Sequence, residues 1–182
     1  MSIFIVIVLV VLVFGIGFYN QLVTFKNLMG EAWSGIDAQL KRRYDLIPNV
    51  VETVKGYQQY EKNTLERIIA LRSGHPLEAG PEGRAAFENQ VSGALKTIFA
   101  VAEAYPDLKA NEEFLMLQKT LIQIEDELQM ARRYYNGTVR NFNVGAQSFP
   151  GNVIAGIFHF TPAVYFEIEY ATERQTPDVK FD

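Results

Sequence analysis

The sequence predicts an all-α protein: an N-terminal transmembrane helix continuing into an antiparallel, coiled-coil-like bundle of long helices, followed by a short aromatic C-terminal tail of β or irregular structure. Three observations predict it. Ile3–Phe18, IFIVIVLVVLVFGIGF, holds no charged or polar side chain. Two later stretches space their apolar residues by threes and fours, as one buried helix face requires. The segment from Phe149 onward is instead rich in glycine, aromatic and β-branched residues, and YFEIEY (Tyr165–Tyr170) alternates as a strand does. The chain thus divides into an anchor, 1–19, a bundle, 20–148, and a tail, 149–182.

Met1 through Tyr19 makes roughly 27–28 Å of helix at about 1.5 Å per residue, enough to cross a bilayer core. A cleavable signal peptide would need a basic start and a small-x-small site, and Met1-Ser2 and GFYNQ supply neither. Lys26, Lys41, Arg42 and Arg43 follow the span while only the α-amino group precedes it, so the positive-inside rule places the bundle in the cytoplasm. The absence of cysteine excludes disulfides, thiol nucleophiles and thiolate metal sites. A net charge of −4 with scattered cations gives no nucleic-acid footprint.

In the first bundle helix Ile36, Leu40, Tyr44, Ile47, Val51 and Val54 form one stripe, which resumes at Leu65, Ile68 and Ile69 and stops in the Gly/Pro-rich loop SGHPLEAGPEG. Pro48 interrupts this helix chemically, yet the stripe keeps phase across it, so a kink is expected rather than a break. The second helix, about Glu82 to Tyr105, carries Phe87, Val91, Leu95, Ile98 and Val101 on one side. Asn111 is placed as the N-cap of the third, with Glu112 and Glu113 at the positive end of its dipole. Along that helix Phe114, Leu117, Leu121, Ile124, Leu128, Ala131, Tyr135, Thr138 and Phe142 make a coiled-coil-like seam. It is expected to run to about Ser148, with Gly137 and Gly145 as weak points.

No constellation of residues points to catalysis or to a cofactor. A di-iron bundle needs carboxylates and Glu-x-x-His pairs facing inward, and neither His75 nor His159 has a glutamate three residues before it. Glu125, Asp126 and Glu127 point around their helix and read as a solvated face. Phosphate-loop and nucleophile-elbow motifs are absent. Within ARRYYNGTVRNFN, Arg132 or Arg133 is expected to pair with Asp45 or Glu52, making a structural polar layer around Pro48, whose missing donor leaves the Tyr44 carbonyl for a side chain of the third helix. Simple surface ion pairs, or a ligand site, are the alternatives.

With RRYDLIPNVVETVKGY, YPDLKANEEFLMLQ and ARRYYNGTVRNFN…FPGNVIAG…YFE in one order behind an apolar segment, the sequence resembles the LemA family from residue 1 to about 169. Arg43–Asn49 and Tyr105–Asn111 carry the likeness residue by residue. The resemblance implies a bacterial plasma (inner) membrane protein with a single span and a helical bundle, and it leaves the mechanism open.

Helix rise puts the tail far from the bilayer: the first helix ascends about 80 Å, the second returns by about 35 Å, and the third climbs again by about 55 Å. On that reckoning Phe149, Ile154, Phe158, Phe160, Tyr165, Phe166 and Ile168 cannot touch the membrane. They form an assembly surface, or else fold back as a cap on the bundle end. The expected protein is a non-enzymatic scaffold or adaptor that contacts the lipid bilayer, self-associates as a homo-oligomer, and binds no nucleic acid or cofactor. The alternative is a monomeric accessory subunit of another membrane protein, a protease or transport complex, docking through the Arg132–Arg140 face.

Overall fold

The computed structural model describes residues 1–55, 69–70 and 80–166, and these are mostly helical with no strand among them. The helices are α1 (Ser2–Lys55), α2 (Pro81–Ala102), α3 (Pro106–Lys109), α4 (Glu112–Gln147) and α5 (Gly151–Ile157). The expected stripe at Leu65 and Ile68, the Gly/Pro-rich loop as far as Ala79, and Ile168 with most of YFEIEY lie outside the described residues.

Helix α1 passes Pro48 as one helix. A proline inside a helix costs about 3 kcal/mol. Ile47, Val50 and Val54, at most 1% exposed, surround it, and burying each such side chain contributes about 1.5–3 kcal/mol. Packing on both sides of the proline therefore outweighs the lost bond.

The chain forms two units. The first comprises Met1–Leu46 and Met116–Tyr165. In it α1 and α4 pair with opposed chain directions: Arg42 meets Glu127, Trp33 packs on Tyr135 with its ring tilted by 58°, and Leu22 and Phe25 crowd Gly145. Their buried residues are Leu22, Ala32, Ile36 and Leu40 on α1, and Leu117 to Ala146 along the α4 seam. The second unit comprises Ile47–Leu115 and Phe166–Asp182. There Val91, Leu95 and Ile98 of α2 are buried, Phe99 meets Phe114 edge-on at 5.9 Å, and α3 occupies part of the expected turn, with Leu108 fully buried. Asn111 caps α4 as expected: its Oδ1 accepts a 2.9 Å hydrogen bond from the Phe114 N–H.

Two expectations about the tail are corrected. Its first part is helical, not β or irregular: α5 forms because Ala155 and Gly151 pack inward while Asn152 N–H continues the ladder onto the Ser148 carbonyl. Nor does the tail lie far from the apolar N-terminal stretch. Since α4 runs back toward the start of α1 instead of climbing away, α5 emerges beside Gly15 and Tyr19, with Ile154 Cδ1 3.6 Å from where a Gly15 Cβ would stand.

The turn between α4 and α5 brings two glycines into contact. A Cβ on Gly151 would lie 2.1 Å from the Gly145 carbonyl oxygen, a backbone clash that no rotamer relieves. Gly151→Ala should therefore undock α5, lowering stability by about 1–3 kcal/mol. Chymotryptic cleavage at Phe158 or Phe160 should become faster while bulk helicity by circular dichroism is kept.

Candidate functional site

Two features of the first unit stand out: a buried arginine layer between α1 and α4, and the junction of the tail with α1. In the layer, Arg43 and Arg132 are 4% and 8% exposed and converge on one carboxylate. Arg43 Nη1 lies 3.2 Å from Glu125 Oε2, and Arg132 Nη1 lies 3.6 Å from Glu125 Oε1. Beside it, exposed Arg42 donates to Glu127 at 2.7 Å, and Gln123 Nε2 donates to the other Glu127 oxygen at 2.8 Å. The Gln123 amide, followed by Arg42, holds the Glu127 carboxyl below the usual carboxylate range.

The expected layer paired Arg132 or Arg133 with Asp45 or Glu52. The structure brings Arg132 to Glu125 instead, an acid of its own helix, and leaves Arg133 and Asp45 exposed. Pro48 and Glu52 lie in the second unit, lining a cleft of about 370 Å³ with Ile47, Val51, Lys55 and Ile69. Glu125, read from sequence as solvated, has only a 30% exposed side chain. The signal that could have found it is heptad position. Glu125, Arg132, Val139 and Ala146 succeed one another at seven-residue intervals, and the last three are buried. Guanidinium groups stay charged at all ordinary pH, so this arrangement suits register and pairing rather than proton transfer.

At the junction, Leu22, Phe142, Ala146 and Ala155 form a buried cluster flanked by Phe25, Met29, Ile154, Phe160 and Ala163. Helix α5 ends in a Schellman-type turn: His159 takes a left-handed φ of 56°, and the Phe160 N–H reaches the Ala155 carbonyl at 2.9 Å. This reversal sets Phe158 and Phe160 on Tyr19, with ring centroids 4.6 and 5.9 Å away. The chain then lies along α4. Asn143 clamps Ala163, donating to its carbonyl at 2.9 Å and accepting from its N–H at 2.8 Å, and the Tyr135 hydroxyl donates to the Val164 carbonyl at 3.0 Å.

The candidate assembly residues therefore separate. Ile154 and Phe160 pack against the chain's own cluster, Tyr165 is half-buried and Phe166 is buried. Phe149 and Phe158 remain 84% and 53% exposed.

These features define a helical protein whose apolar N-terminal helix, compatible with membrane anchoring, also forms part of a helical core. The LemA family model matches residues 32–181, and the chain belongs to that family. It is 28% identical to Protein LemA of Metamycoplasma hominis over 141 residues, which cover 77% of this chain and 64% of that one. It is 23% identical to Magnetosome protein MamQ 2 of Paramagnetospirillum magneticum, covering 82% and 64%. Against Magnetosome protein MamQ of Magnetospirillum gryphiswaldense the identity is 21%, covering 81% and 64%. The chain thus spans just under two thirds of the length of these relatives.

Removing the shared carboxylate takes an ion-pair partner from two buried guanidinium groups at once. Glu125→Ala should cost about 3 kcal/mol, read as a lowered midpoint in chemical denaturation, whereas Asp126→Ala on the exposed side should change it little. Burial raises the Tyr135 phenol above its ordinary 10.0, so the folded state keeps that proton after the unfolded chain has lost it. Its contribution is complete below that pH and declines above it. Tyr135→Phe should lose about 0.5–1.5 kcal/mol at neutral pH and show a shallower alkaline loss in denaturation midpoints between pH 8 and 11.

Proposed function

We propose that this protein is a non-enzymatic scaffold anchored in the bacterial plasma membrane by residues 1–19, with its bundle in the cytoplasm, and that it self-associates. One observation carries the reading: in the first unit, the apolar stretch and the buried bundle face belong to the same uninterrupted helix. A catalytic domain that only needs tethering tolerates a flexible linker. A helix that is both anchor and core instead fixes the height and direction of everything packed on it, as a platform requires.

Self-association is supported by the free side of α4. Met116, Met130 and Val144 share one heptad position and are 72%, 60% and 57% exposed, with Tyr134 beside them at 53%. Such a row suits a second copy of the same helix. The cytoplasmic orientation is supported by Lys26 on α1 and by Arg133 and Arg140 on α4, all exposed. The relatives are named for a family or for the magnetosome rather than for a reaction, which agrees with a scaffold.

Light scattering of the detergent-solubilised protein should give a defined multimer. Met130→Glu with Tyr134→Glu should reduce it to a monomer of unchanged helicity. A monomeric wild type overturns self-association, and one that retains a stoichiometric membrane enzyme through purification favours an accessory subunit.

A further inference from the structure

The tail junction stands at a depth that the length of the apolar stretch determines. A bilayer core of about 30 Å needs roughly 20 helical residues. Ser2 to Tyr19 barely suffices, and without the turn from Gly15 to Tyr19 the remainder would reach only about 20 Å. The Gly15–Phe18 turn therefore belongs inside the lipid. Ile154 packs at Gly15, and Phe158 and Phe160 pack on Tyr19, so whatever surrounds that turn surrounds α5 as well.

The chemistry of α5 agrees. Apart from His159, no titratable or charged side chain occurs from Asn141 to Tyr165 except the phenol of Tyr165 itself, and no Asp or Glu occurs from Met1 to Gly30 or from Leu128 to Phe166. One side of α5 is committed to the core through Gly151 and Ala155. The other presents Val153 and Ile157, 52% and 62% exposed, flanked by Phe149 just before the helix and Phe158 just after it, 84% and 53% exposed. This patch continues the exposed apolar surface of α1, where Ile3 to Phe14 are exposed all round. Beyond it the first cations are Lys26 and Arg140. They lie at similar height, since the Trp33–Tyr135 and Leu22–Gly145 contacts bracket both. An apolar collar under a cationic, acid-free rim fits the acyl boundary and anionic headgroups of one leaflet.

We propose that α5 is a second membrane contact: an interfacial helix lying in the leaflet beside the last turn of the α1 span, with Phe149, Val153, Ile157 and Phe158 facing lipid. The protein thereby holds the bilayer at two adjacent points, and the base of the bundle is seated in the leaflet rather than raised above it. This inference rests on the reading of residues 1–19 as a membrane anchor.

The sequence has no cysteine, so spin labels can be placed singly in the full chain at Val153→Cys, Ile157→Cys, Leu9→Cys and Ala38→Cys, the last an exposed position of α1. The labelled proteins are reconstituted in vesicles of phosphatidylcholine and phosphatidylglycerol, and relaxation by oxygen is compared with relaxation by a water-soluble nickel chelate. Expected are a lipid signature at Leu9, a shallower lipid signature at Val153 and Ile157, about 5–10 Å into the boundary, and an aqueous signature at Ala38. Aqueous signatures at Val153 and Ile157 with Leu9 still in lipid overturn the inference and spare the anchor. An aqueous Leu9 overturns the anchor and the inference with it. Dipolar broadening at Val153 that disappears on dilution with unlabelled protein assigns the face to a second copy and also overturns it.

Discussion

In the first unit the opposed pairing of α1 and α4 decides the rest. A helix that carries its apolar stretch at one end can bring the far end of its partner either away from that stretch or back to it. The contacts from Arg42–Glu127 through Trp33–Tyr135 to Leu22–Gly145 bring it back. The C-terminus of α4 is therefore delivered to the start of the core, and any tail leaving it must pack beside Tyr19. The Gly145–Gly151 approach and the His159 turn then serve to fold the tail tightly enough to remain there.

The arginine layer fits the same constraint. Leucine and isoleucine seams are tolerant of slippage by a heptad, because one apolar row packs much like the next. Arg43 and Arg132 meeting at Glu125 are not tolerant, since a shift of α4 by one heptad would carry Glu125 away from Arg43 and break that buried ion pair. Ion pairs of this kind contribute little net stability over apolar packing. Their effect here is to favour one register, and with it the height at which α5 meets α1.

The helices were legible because their signals are local. The apolar stretch, the phase of the stripe across Pro48, the Asn111 cap and the α4 seam each depend on residues within a turn or two of one another. What sequence reading missed depends on pairing. Glu125 looks solvated within IEDELQ and turns inward only when its row is continued through Arg132 to Val139. The helix α5 was hidden because Gly151, Gly156, Val153 and Ile154 are poor intrinsic helix formers, and tertiary contacts with Leu22 and Phe142 supply what propensity lacks. The direction of α4 could not be had from helix lengths alone, because the sum of rises fixes a height only after each sign is known.

Pairing also changes what the hydropathy of this chain means. Read linearly, the apolar run ends at Phe18, and the tail is a separate, glycine-broken stretch of middling hydropathy more than a hundred residues later. Folded, the two are neighbours, and each ends at a cation: Lys26 along α1, and Arg140 along α4 in the reverse direction. Two independent stretches of chain thus change from uncharged to charged at one level. A chance run of apolar residues on α1 would place no such demand on α4, and a tail serving only to cap a core would have no reason to keep its outward side free of charge. The proposed common boundary with an apolar solvent would account for both, and for the way the residues between Asn141 and the end of α5 combine small inward glycines with large outward phenylalanine, valine and isoleucine.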